Sequence, residues 1–130
     1  MHIEAPKNTI KKSAEAVFIF LTDLQNFEKI MPDNIEKFEI INEDRFLFAL
    51  KGMPEIVLQR KEQNPNDKLV LGAASDKLTY TLTANISSIT YNECEVTFSF
   101  NGEFNAMMAM MIKSPITNLI GTLSNNLTTI

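Results

Sequence analysis

Leu78-Thr79-Tyr80-Thr81-Leu82-Thr83-Ala84-Asn85-Ile86-Ser87 decides how this chain is read. Apolar residues stand at 78, 80, 82, 84 and 86, and Thr, Asn and Ser fill the places between them. Successive side chains of a strand point to opposite faces, so this stretch has one apolar face and one hydroxyl-rich face. Such one-sidedness belongs to hairpin-connected antiparallel sheets, because parallel sheets covered on both faces read as continuous apolar runs. A doubly wound nucleotide-binding sheet is thereby disfavoured.

Working outward, the strand from Glu93 repeats the alternation, with Cys94, Val96, Phe98 and Phe100 on one face and Glu95, Thr97, Ser99 and Asn101 on the other. Phe46, Phe48 and Leu50 do the same upstream. Turn clusters at Asn42-Glu43-Asp44, Gly52-Met53-Pro54, Asn64-Pro65-Asn66-Asp67, Ser75-Asp76 and Tyr91-Asn92 punctuate the region into about six strands. Residues 2–12 read as one earlier strand, with Pro6 tolerable at an edge or bulge.

Between these strands lie two short helices. Ser13 offers an oxygen to the free amides of Ala14-Glu15-Ala16, and Val17, Phe18, Leu21 and Leu24 recur at helical spacing. Asp23 caps a second piece through Phe27 and Ile30, which Met31-Pro32 ends. After Phe104 the helical period returns through Ala106-Met107-Met108-Ala109-Met110-Met111-Ile112, with Pro115 as a point of kinking and Ile116, Leu119, Ile120, Leu123 and Leu127 as one apolar stripe. Strands in an unbroken run followed by one long amphipathic helix imply an α+β domain: a curved antiparallel sheet of about seven strands wrapping a long C-terminal helix, with two short helices after the first strand.

The chain of 130 residues is sized for a single domain over 1–130, and 45% hydrophobic with 22% charged residues is ordinary globular usage. A net charge of -4 with both signs interspersed offers phosphates no basic face, so nucleic acid is excluded as the expected partner. The one cysteine, Cys94, has nothing within the chain to pair with, and the opening Met1-His2-Ile3-Glu4-Ala5-Pro6 lacks the apolar core of a signal peptide. No run suggests a membrane span, so a cytoplasmic location is expected. Nothing selects a homodimer, though symmetric dimers are common.

Order and spacing of these elements resemble the START-related helix-grip superfamily, which includes birch-pollen-allergen-like proteins, polyketide cyclases and lipid-transfer domains. Ser13-Ala14-Glu15-Ala16-Val17-Phe18, then Leu21-Thr22-Asp23 and Met31-Pro32, are similar to that family's opening helices, and Gly102-Glu103-Phe104-Asn105 to its approach to the last helix. Many members carry a tryptophan near the end of the second short helix, where this chain has Ile30-Met31-Pro32. The resemblance implies an apolar cavity between sheet and terminal helix, holding a small hydrophobic molecule and no cofactor. On the sheet Phe38, Phe48, Leu58, Leu71, Leu82, Phe98 and Phe100 are expected to line it. Met108, Ile112, Ile116 and Leu119 are the expected lining from the helix.

Two polar residues fall on apolar faces. Arg60 shares its register with Ile56 and Leu58, and Tyr80 lies between Leu78 and Leu82. Facing the cavity, the guanidinium would hold a ligand carboxylate and the phenol would donate to a carbonyl. The plainer alternative has Tyr80 packing its ring and Arg60 past a bulge or snorkelling to solvent. Met107, Met108, Met110 and Met111 read first as core filling and second as an adaptable contact surface. Glu36, Glu93, Glu95 and Glu103 read as solvated, and Cys94 as core. The sequence has no G-x-S-x-G, H-E-x-x-H, C-x-x-C or glycine-rich phosphate loop, and its one histidine, His2, is near a terminus. The expected function is therefore binding or transport of a lipid-like or polyketide-like molecule. A cyclase or dehydratase using the same cavity is the alternative, and a cavity-free interaction module using the methionines is a third.

Overall fold

The computed structural model describes residues 1–74 and 79–130. The expected turn at Ser75-Asp76 and the inward place of Leu78 lie outside the described residues. The first strand is divided where Pro6 interrupts it: β1 (His2–Glu4) and β2 (Asn8–Ile10) are separate strands. A proline has no N–H for a ladder, and the pairing resumes on either side of it.

Ser13 caps α1 (Ala14–Thr22), its Oγ accepting from the Ala16 amide at 3.0 Å. Val17, Phe18 and Leu21 are the buried face. Asp23 accepts from the Gln25 amide and opens a single 3-10 turn, Leu24–Asn26, that leads into α2 (Phe27–Ile30). Met31 is already extended and Pro32 follows, which stops the helix.

Six strands come next: β3 (Ile35–Asn42), β4 (Arg45–Leu50), β5 (Ile56–Asn64), β6 (Lys68–Ala73), β7 (Tyr80–Thr90) and β8 (Glu93–Gly102). All pair antiparallel in the order β1-β8-β7-β6-β5-β4-β3, with β2 also on β8. From β3 onward each strand pairs with the next in the chain, whereas β1 and β2 reach across the chain to β8. The alternation read from residues 80–87 is realised: Leu82, Ala84 and Ile86 are buried, opposite Phe100, Phe98 and Val96 of β8.

The last element, α3 (Ala106–Leu127), begins at Asn105, whose side chain accepts from the Met108 amide, and runs through Pro115 as one helix. It lies on the inner face of the sheet against β8, β1 and β2 and touches α2. Ile116, Leu119, Ile120, Leu123 and Leu127 are buried there, each such side chain contributing about 1.5–3 kcal/mol relative to exposure. This half is pinned by polar bonds too: Asn126 Nδ2 donates to the Ile30 carbonyl at 3.0 Å and Asn8 Nδ2 to Ser124 Oγ at 2.7 Å. Cys94 is fully buried, Glu36 and Glu103 are exposed, and Glu93 and Glu95 are partly so.

The methionines correct the core reading. Met107, Met108, Met110 and Met111 are all exposed, and of the four Met108 also lines a cleft with sheet residues.

Candidate ligand cleft

Where α3 emerges from under the sheet, an apolar cleft of about 140 Å³ opens beside it. Its floor is aromatic. The ring of Tyr80 lies 6.0 Å from that of Phe100 at 21°, and Phe100 lies 6.3 Å from Phe104 at 8°. Three near-parallel rings thus form one shelf, at separations favoured for aromatic pairs. The helix side is Met108, Ile112 and Ile116, and the turn before β5 supplies Met53, Pro54, Glu55 and Ile56.

Gly102 makes the shelf possible. It sits opposite Tyr80 in the ladder, on the inner face, and a Cβ there would run into the Phe104 ring and come within 3.2 Å of the Tyr80 Cβ. Without a side chain at 102, Phe104 folds back over the end of β8 instead of pointing into water.

The Tyr80 hydroxyl donates to the Val57 carbonyl at 3.0 Å, which ties β7 to β5 and fixes the ring. Burial pushes its pKa above the ordinary 10.0, so the phenol stays protonated at neutral pH. Its hydroxyl is already partnered and its ring is stacked on Phe100. Glu55, on the rim, holds Lys37 Nζ at 2.9 Å, with both side chains about half exposed. Among the described residues no three His, Cys, Asp or Glu side chains gather closely enough to hold a metal ion, and no described helix is long and apolar enough to cross a membrane.

Of the residues expected to line a cavity, Tyr80, Phe100, Met108, Ile112 and Ile116 come together here. Phe48, Leu58, Leu71, Leu82, Phe98 and Leu119 do not: they are closed into the core with between 0% and 4% of their surface exposed. Phe38 is half-buried and stacks on Phe46 at 5.3 Å, in a second aromatic group with Phe27 and Phe48. Arg60 is the clearest correction. It pairs with Leu71 across the ladder, as its register required, but four residues along β5 from Ile56 is roughly 13 Å from the cleft. There its Nε meets Asp44 Oδ1 at 3.0 Å, Nη1 meets Gln63 Oε1 at 2.8 Å, and Nη2 donates to the carbonyls of Thr22 and Glu43 at 2.9 and 3.0 Å. The guanidinium buckles the β3–β4 turn and the end of α1 onto β5, just before a register shift at residues 60–62. Four of its five N–H donors are thereby taken, away from the cleft. Met53, Pro54, Glu55, Ile56 and Phe104 were missed, although a methionine inside a Gly-Pro turn and a phenylalanine two residues beyond Gly102 are apolar side chains placed where strands end.

An antiparallel sheet closed over a long C-terminal helix, with two short helices after the first strand segments, is the helix-grip fold of START-type proteins. No protein-family model matches the sequence, and no curated protein matches it either. Among solved structures, a START superfamily protein from Mycobacterium smegmatis superposes with a TM-score of 0.72 at 10% identity, over 98% of this chain and 94% of that one. Norcoclaurine synthase from Thalictrum flavum, in complex with dopamine and hydroxybenzaldehyde, gives 0.77 at 12% identity over 99% and 84%. The protein XoxI from Bacillus cereus gives 0.68 at 15% identity over 98% and 93%. At these identities the likeness is one of fold.

Proposed function

We propose that this chain, folded as one domain, binds a small apolar molecule carrying a flat ring, and sequesters or carries it. The observation that supports this is the shelf of Tyr80, Phe100 and Phe104 facing the aliphatic side of α3 across an open cleft. A planar group slipped between them would replace solvent by ring faces on one side and by Ile112 and Ile116 on the other, burying apolar surface on both. The cleft is smaller than a typical ligand site, and the unbranched Met53 at its mouth is the side chain best able to swing aside, with Met108 left as part of the apolar wall. Thalictrum norcoclaurine synthase, of the same fold, was solved with dopamine and hydroxybenzaldehyde. A cyclase or dehydratase reading needs Arg60, Tyr80 or a second inward polar residue to converge on one point, and the Arg60 guanidinium is instead bonded to Asp44, Gln63, Thr22 and Glu43 while the Tyr80 hydroxyl is bonded to Val57. The lone buried Cys94 suits a reducing compartment, and on that ground we assign the binding to the cytoplasm.

Titration of the purified protein with the neutral fluorophore N-phenyl-1-naphthylamine tests the reading. Saturable uptake at one probe per chain is expected, weakened by about tenfold in Phe104→Ala, a change worth about 1.4 kcal/mol. Arg60→Leu should leave uptake unaltered. Absence of saturable uptake, or identical uptake by Phe104→Ala, would sink it.

A further inference from the structure

The outer half of α3 concentrates thioethers in water. Met107, Met110 and Met111 are 75%, 81% and 66% exposed, whereas Met31 is 7% exposed. Met108, 43% exposed, belongs to both worlds, since it also lines the cleft. Methionine oxidation follows access of the oxidant to sulfur. The thiol is shielded by comparison: Cys94 is fully buried, and burial raises its pKa, which withholds the reactive thiolate.

The chemistry at Met108 is a two-electron oxygen transfer. A sulfur lone pair attacks the hydroxyl oxygen of the peroxide, an S–O bond forms as the O–O bond breaks, and the proton shed by that oxygen passes to the second one, which leaves as water or alcohol. Sulfur is oxidised and the peroxide reduced. The product is a strong hydrogen-bond acceptor set beside Phe100, Phe104, Ile112 and Ile116, none of which has a side-chain donor. The Tyr80 hydroxyl already gives its hydrogen to Val57. A Met108 sulfoxide must therefore turn out to water, taking its apolar surface off the cleft, or stay inside without a partner. Either outcome works against an apolar occupant. Among the described residues Met107, Met110 and Met111 line no such pocket, and their oxidation consumes oxidant without that effect; Met53, which shares the cleft, is less exposed than any of the four helix methionines.

We propose that the methionine half of α3 is an oxidation site controlling the cleft: peroxide-class oxidants convert Met108 to its sulfoxide and release the bound molecule, while Met107, Met110 and Met111 compete for the oxidant. The proposal rests on the cleft being a ligand site. Its test treats the protein with graded hydrogen peroxide, maps each methionine by peptide mass spectrometry, and follows N-phenyl-1-naphthylamine affinity. The expected result is oxidation of all four helix methionines before Met31, with affinity falling about tenfold in step with Met108. In Met108→Leu, whatever its starting affinity, the ratio of treated to untreated affinity should stay within about twofold, and in wild type a methionine sulfoxide reductase should restore binding. In Met107→Leu/Met110→Leu/Met111→Leu the loss should come at a lower peroxide dose. Full Met108 oxidation with undiminished binding, or an equal loss in Met108→Leu, overturns the proposal while leaving the cleft intact. Failure of untreated protein to take up the probe overturns the cleft reading itself, and shows before any peroxide is added.

Discussion

From Ile116 to Leu127, α3 sets a stripe of branched aliphatic side chains against the sheet and is locked by Asn126 to Ile30 and by Ser124 to Asn8. From Ala106 to Ile112, the same helix carries apolar residues of similar bulk and leaves most of them in water. Pro115 lies between the two, and because it cannot donate, the ladder is weakest where the covered half meets the uncovered one. Side-chain chemistry tracks the division: stiff, branched residues where the fit is fixed, unbranched thioethers where the surface has to change shape. Apolar character alone does not predict burial; the extent of the sheet beneath does.

The largest break in that comparison should come from Leu123→Ala. It leaves a void in the covered half and should cost about 2–5 kcal/mol, read as a lower urea midpoint at unchanged slope. Gly102→Ala comes next, because the added methyl must displace the Phe104 ring from the shelf. A loss of about 1–3 kcal/mol is expected, with probe uptake reduced as well.

Tyr80→Phe should cost about 1 kcal/mol through the lost bond to Val57. It also carries a pH signature. Burial raises the phenol pKa, so the folded state favours the neutral form; that stability is complete below the unfolded pKa and is lost as pH rises through the folded one, above about 10. The alkaline decline should be shallower in Tyr80→Phe, and an identical decline would assign it to other groups. Smallest of all, Met110→Ser should shift stability by less than about 0.5 kcal/mol, since the side chain it removes is 81% exposed. A cost comparable to Leu123→Ala would mean that the outer half is covered in solution.

Sheet and helix order were legible because period two and period 3.6 differ unmistakably in residues 80–87 and 116–127. That Arg60 shares its register on β5 with Ile56 and Leu58 was legible as well. Its partners were not: Asp44 and Glu43 reach it through the β4–β5 pairing, in which Arg45 stands opposite Gln59, and Thr22 through the packing of α1, and neither is encoded by alternation along β5 alone. The methionine stretch failed for another reason. Met107 to Ile112 has no polar residue on either side of the helix, so its periodicity names no buried face, and core filling was the default reading. The shelf lay in between: Phe100 and Tyr80 were visible by alternation, but Phe104 depends on a missing Cβ at Gly102, which matters only when β7 is beside it.

The divided strand at the start of the chain bears on how these molecules behave in company. An open sheet exposes a row of free amides and carbonyls at each border, which another chain could extend into a fibre. Here one border is two three-residue strands separated by Pro6, and the other, β3, is broken by two register shifts and carries Glu36, Lys37 and Glu39. Neither offers a long, flat, uncharged template, so the borders of the sheet give a second copy little to extend.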